Sequence, residues 1–200
     1  MAQKNLYIIA GCNGAGKTTA AFKIFPEILE SSEFVNADEI SRELRVIDPG
    51  SSDIQAGRLM LERISELISS GQNFTIETTL ASRSLMQIVK KAKELGYQVT
   101  LAFFWLNSPL LAVERVRSRV EHGGHNIPPE VIIRRYNIGL KNLFHLYLSL
   151  VDFWMMYDNS GIAPVLIAKG SLENYQIKKN SNFTALLKHY SDGSKGKEIE

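Results

Sequence analysis

Eight consecutive residues, Gly11-Cys12-Asn13-Gly14-Ala15-Gly16-Lys17-Thr18, match the pattern G-x-x-x-x-G-K-[ST] at every fixed position. Glycines at these positions let the backbone curl so that successive N–H groups point at one anion. The helix that should follow aims its positive end at the same place. Lys17 adds a point charge for the β- and γ-phosphates, and the Thr18 hydroxyl suits Mg²⁺. With Thr19, which extends the polar stretch, residues 11–19 form a candidate cradle for the phosphates of Mg·ATP. Cys12 fills a variable position and reads as a small loop residue. An adjoining helix N-terminus would act to lower its thiol pKa.

Two carboxylates follow short apolar runs. Asp38 lies in Asn36-Ala37-Asp38-Glu39, after the segment Glu33 to Asn36. At the carboxyl end of a strand it either accepts the proton of a hydroxyl attacking the γ-phosphate or caps the next helix. Glu77, in Glu77-Thr78-Thr79, closes the run from Phe74. It either orients an acceptor, with Thr79 beside it, or holds a water on Mg²⁺; the bland alternative is a solvated strand end. No aspartate ends a long apolar run, so no second magnesium carboxylate can be named.

Five arginines flank the loop 121–127: Arg115, Arg117 and Arg119 before it, Arg134 and Arg135 after it. Arg115 and Arg119 share a helix face. Such a pair of helices is either a solvated basic surface or a lid that brings guanidinium groups to the charge developing in transfer. Beside a phosphate cradle the lid is favoured, with Arg115, Arg119 and Arg134 as candidates. His125 either serves the lid or caps its second helix. Asp158-Asn159-Ser160-Gly161 reads as a turn near where a base would rest.

The elements that must carry these residues alternate. Strands are expected at Leu6 to Ala10, Glu33 to Asn36, Phe74 to Glu77, Tyr97 to Leu106, Phe153 to Tyr157 and Val165 to Ala168. Helical stripes run through Met60, Ile64, Leu67 and Ile68, and through Leu85, Ile88, Val89, Ala92 and Leu95, stopped by Gly96. Ser108-Pro109 opens a helix with Val113, Val116 and Val120. Pro128-Pro129-Glu130 opens another with Ile132, Tyr136, Leu140, Leu143 and Tyr147. Alternation of this kind implies an α/β fold, a P-loop three-layer α/β/α sandwich with a mostly parallel sheet and a small helical lid. The expected domain spans residues 1–190, with the lid at about 108–150 and a flexible tail at 191–200.

Composition narrows the class. In 200 residues the net charge is +2, too small to make nucleic acid or an anionic membrane the main partner. One cysteine excludes an internal disulfide, and the apolar run Val99 to Leu106 is far short of a membrane span. These features, with an N-terminus too weakly apolar for a signal peptide, read as soluble and cytoplasmic.

The ordered set AGCNGAGKTT, FVNADEI, FTIETTL, AVERVRSRV, GGHNIPPEVIIRRY and YDNS resembles the zeta-toxin-like P-loop kinases, from Leu6 to Ser160. The resemblance implies phosphoryl transfer from ATP to a sugar hydroxyl, in the best-known members that of UDP-N-acetylglucosamine. It gives Lys17 and Thr18 the phosphate and magnesium roles, Asp38 that of catalytic base and Glu77 that of acceptor binding. Arg115 resembles an ATP-contacting arginine, and Arg119, His125 or Arg134 the second. The chain is short for that family, with a brief segment from Ser41 to Gln72, and is most similar to its compact members. The family also implies an antitoxin as a possible partner. The rival classes are a nucleotide-hydrolysing switch, for which no switch segment is evident, and a nucleic-acid end kinase, against which the near-neutral charge argues.

Overall fold

The computed structural model describes residues 3–47 and 53–195; the side chains of 38, 42, 45, 46, 53 and 192–195 lie outside that description. The chain runs β1 (Lys4–Ala10), α1 (Lys17–Ile24), α2 (Pro26–Glu30), β2 (Glu33–Asn36), α3 (Ala37–Ile47), α4 (Asp53–Ser70), β3 (Phe74–Thr78), α5 (Ser84–Glu94) and β4 (Tyr97–Trp105). It continues with α6 (Pro109–Glu121), α7 (Pro129–Asn142), a π-helical turn (Leu143–Tyr147), β5 (Phe153–Asp158), β6 (Val165–Ser171), β7 (Tyr175–Ile177) and α8 (Asn180–Lys195).

The strands form one seven-stranded sheet in the order β2-β3-β1-β4-β5-β6-β7. The five from β2 to β5 are parallel, β6 runs antiparallel to β5, and β7 runs antiparallel to β6. Apolar runs suit the middle strands because helices cover both faces there. Val35, Ile76, Ile8, Leu101 and Trp154 are register partners in turn across five strands, and all are buried. This row ties the strands whose carboxyl ends carry the cradle, Asn36 and Glu77. β1 lies between β3 and β4; the chain leaves it for β2 on one side and later crosses from β3 to β4 on the other, so the loop after β1 opens at the switch point of the sheet.

Helix ends follow the local chemistry. Ser108 caps α6 by accepting a hydrogen bond from the Leu110 amide at 3.1 Å, with Pro109 at the first helical position. Ile132, Tyr136 and Leu140 are buried along α7, and the same stripe continues through the buried Leu143 and Tyr147 of the π turn. Of the valines on α6, Val116 is buried, whereas Val113 and Val120 are half-buried.

α2, β7 and α8 have no counterpart in the sequence expectation. β7 is a three-residue edge strand with every residue exposed, and so carries no burial pattern. α8 continues past Ser191 to Lys195 and is held to the body by the buried Leu186. No helix among the described residues is long and apolar enough to cross a membrane.

Candidate active site

The cradle begins where β1 ends. Gly14 and Gly16 adopt φ of +80° and +68°, values that residues with a Cβ rarely take. A Cβ on Gly14 would also collide with the Ala112 carbonyl of α6, and one on Gly16 would lie 2.9 Å from Asn159 Nδ2. The glycines therefore serve both the turn and its close packing under α6. Gly16 leads directly into α1, so the first amides of that helix face the loop.

Lys17 and Thr18, the first residues of α1, converge on one carboxylate. Thr18 Oγ1 donates to Glu77 Oε2 at 2.6 Å, and Lys17 Nζ lies 3.6 Å from Glu77 Oε1. Lys17 Nζ also donates to the Cys12 carbonyl at 3.2 Å. Lys17 and Glu77 side chains are each 8% exposed, and buried charges persist only when paired in this way. Glu77 reaches both partners because it sits near the end of β3 beside Ile9 of β1, where β3 and β1 run parallel in register. On its other side its register partner is Asn36, the last residue of β2.

A cleft of about 510 Å³, open to solvent, is lined by Lys17, Asn36, Glu77, Thr78, Thr79 and Arg135, with Asn13, Ala37 and Met60 completing the wall. The backbone places Asp38 in the first turn of α3, directly after Ala37. Its side chain, and hence the expected base, lies outside the described residues. Thr79 lines the cleft, whereas Thr19 is exposed on α1.

The arginines divide. Arg135 Nη1 donates to Asn13 Oδ1 of the cradle at 3.0 Å. Its neighbour Arg134 is exposed. Arg115 commits two nitrogens to the loop after β5, Nη1 to the Asn159 carbonyl at 2.8 Å and Nη2 to the Ser160 carbonyl at 2.9 Å. Asn159 Nδ2 in turn donates to the Ala15 carbonyl of the cradle at 2.7 Å. Arg115 thus reaches the cradle through that loop. Arg119 Nη2 donates to the His125 carbonyl at 3.1 Å, closing the connection between α6 and α7.

Asp158 is more than a turn former. Its Oδ1 accepts from the Ser160 amide and hydroxyl at 2.9 and 2.5 Å, and its Oδ2 from Asn182 Nδ2 of α8 at 2.7 Å. Cys12 is a buried loop residue, as its small size suggests, and not a thiol of lowered pKa. Burial pushes the thiol up to about 11, outweighing the nearby Lys17 and Arg115 charges that favour thiolate.

Arg135 is the residue that sequence reasoning placed on the lid without selecting for the site. A signal was present: Gly139 and Asn142 follow it at helical spacing, marking a face of α7 meant for close approach.

The fold and this site define a P-loop kinase-type domain. The zeta toxin family model matches residues 1–165, and the chain belongs to that family. An uncharacterised protein of Haemophilus influenzae is 30% identical over 144 residues, 68% of this chain and all of that protein. A chain of the AvrRxo1-ORF1:-ORF2 crystal structure with ATP superposes with a TM-score of 0.74 at 17% identity. That match covers 92% of this chain, which spans 63% of the length of the other. A structure from the PezAT toxin-antitoxin system of Streptococcus pneumoniae gives a TM-score of 0.63 at 19% identity, over 98% of this chain and 86% of that one. Family and fold together support an ATP-dependent phosphotransferase in general.

Proposed function

We propose that this protein transfers the γ-phosphate of Mg·ATP to a hydroxyl of a small molecule, a nucleotide sugar such as UDP-N-acetylglucosamine. The observation that carries the reading is the convergence of Lys17 and Thr18 on Glu77 at the floor of an open cleft. Backbone amides of Gly11 to Thr18 and the Lys17 ammonium bind the phosphates. Arg135, already on the cradle, meets the transferring group from the other side, with Arg119 and Arg134 on the cationic rim of the lid. Arg115 holds the base-side loop against the cradle.

The Thr18 hydroxyl, which donates to the Glu77 carboxylate at 2.6 Å, presents an oxygen that suits Mg²⁺, an ion that takes one or two protein oxygens beside phosphate and water. Among the described residues no group of three His, Cys, Asp or Glu gathers as a self-sufficient metal cage, which such a site does not need. Held by Thr18, Mg²⁺ would supply positive charge to offset that of the phosphate oxygens. Glu77 orients the Thr18 oxygen and balances Lys17. Asp38, in the first turn of α3, takes the acceptor proton as the hydroxyl attacks. Asn36, Thr78 and Thr79 offer neutral hydrogen-bonding groups suited to a polyol. The likeness to a toxin-antitoxin structure extends the proposal to a protein antitoxin as partner.

The test is incubation with Mg·ATP and separate panels of UDP-sugars, other small polyols and oligonucleotides, read by mass spectrometry. One added phosphoryl group on a UDP-sugar supports the reading. Phosphorylation of oligonucleotides alone, or ATP hydrolysis with no product on any acceptor, overturns it.

A further inference from the structure

The loop after β3, which brings Thr78 and Thr79 to the cleft, turns at Leu80. Leu80 has φ of +56°, the one left-handed residue other than glycine among the described residues, and its side chain is fully buried. A leucine stays in that region only when its surroundings hold it there. The Thr78 and Thr79 hydroxyls accept from the Leu80 and Ala81 amides at 3.1 and 3.4 Å. Both hydroxyls therefore keep their protons for donation into the cleft.

The rest of the grip comes from α7 and the π turn. Asn142 is 6% exposed and its Nδ2 donates to the Leu80 carbonyl at 2.6 Å. Tyr147 donates its hydroxyl to the Ser82 carbonyl at 3.3 Å. The Leu148 amide bonds the Leu143 carbonyl at 3.0 Å, five residues back, so the helix is wide between these two side chains. In an α-helix residues five apart point well away from each other; the wider turn brings Asn142 and Tyr147 to one side of the loop. One turn earlier, α7 touches the loop through Gly139, where any Cβ would collide with the Thr79 carbonyl. Arg135, Gly139 and Asn142, spaced four and three apart, thus form one face of α7.

We propose that Asn142 is a positioning residue that makes the phosphate-side Arg135 and the acceptor-side Thr78 and Thr79 one mechanical unit. This rests on the phosphotransferase reading above. Nucleotide drawn onto the cradle engages Arg135, and α7 carries that constraint through Gly139 and Asn142 to the Leu80 turn. The acceptor hydroxyl then meets a loop already ordered by the donor.

Hydrogen exchange of residues 78–82, with and without Mg²⁺ and adenylyl imidodiphosphate, tests this in the wild type, Asn142→Ala and Tyr147→Phe. In the wild type the nucleotide slows exchange of the loop. In Asn142→Ala the nucleotide affinity stays within about twofold, basal exchange of the loop rises about three- to tenfold, as loss of one hydrogen bond implies, and the nucleotide response disappears. Tyr147→Phe, which removes one hydroxyl, gives the same effect at smaller size and reads the grip if Asn142→Ala fails to fold. A nucleotide response kept intact in the variants overturns the proposal. Loss of nucleotide binding by the wild type overturns the phosphotransferase reading, and with it the coupling, while faster basal exchange in Asn142→Ala would still show the tether.

Discussion

Thr18 Oγ1 and Glu77 Oε2 lie 2.6 Å apart, while Lys17 Nζ faces the other oxygen of the same carboxylate at 3.6 Å. A carboxylate shared by a hydroxyl and an ammonium makes the floor of the cleft pre-organised in charge and geometry. If it also orients the magnesium ligand, Glu77→Gln removes charge but not volume. Expected is a fall of about 10- to 100-fold in magnesium-supported turnover, the usual size for a residue behind the metal ligand. ATP affinity in EDTA changes little. A magnesium titration that matches the wild type contradicts this role.

Lys17 and Asp38 should separate binding from chemistry. Lys17→Ala removes the ammonium from the cradle and weakens ATP binding strongly. Asp38→Asn leaves ATP affinity near that of the wild type and lowers transfer by about 10²- to 10⁴-fold, the range for a lost general base. Calorimetric ATP binding and steady-state turnover on both variants check the split; turnover retained in Asp38→Asn removes Asp38 from the base role.

The two glycines Gly14 and Gly57 make a matched pair. Gly14 has φ of +80° and would place a Cβ against the Ala112 carbonyl, whereas a Cβ on Gly57, within α4, meets nothing within 4 Å. Gly14→Ala should cost about 1–3 kcal/mol in strain and abolish nucleotide binding. Gly57→Ala should stabilise by about 0.5–1 kcal/mol through helix propensity. Thermal melts with and without Mg·ATP distinguish them: a ligand-induced rise in Tm survives only in Gly57→Ala.

Cys12 carries a pH prediction. Its thiol is raised from an ordinary 9.0 to about 11 by burial. A folded-state pKa above the unfolded one means its contribution to stability is complete below about pH 9 and is lost as pH rises through about 11. At pH 8 iodoacetamide should therefore label the folded protein far more slowly than the chain unfolded in urea. Equal labelling rates would show an exposed or activated thiol.

Much of this site is local and so was legible in the sequence. The cradle needs only glycines, a lysine and a threonine in fixed order, and β2 with the following Asp38 needs only a short apolar run before a helix. Glu77 was legible as a strand-end carboxylate, but its hydrogen bond from Thr18 and ion pair with Lys17 depend on the register of β3 against β1. Arg134 and Arg135 are adjacent in the chain but about 100° apart on the helix. Only docking of α7 on the cradle distinguishes the exposed residue from the one that meets Asn13. The Arg115 contacts with residues 159 and 160 span more than forty positions, and no spacing rule reaches that far. β7 and α8 were missed because an edge strand without burial and a helix anchored chiefly by Leu186 leave little periodicity to read.

Titration of the purified chain with Mg·ATP by calorimetry tests the central claim most directly. One saturable site, lost in a Lys17→Ala variant that still folds, is the predicted result. A folded wild-type protein that takes up no ATP with Mg²⁺ present contradicts the account at its base.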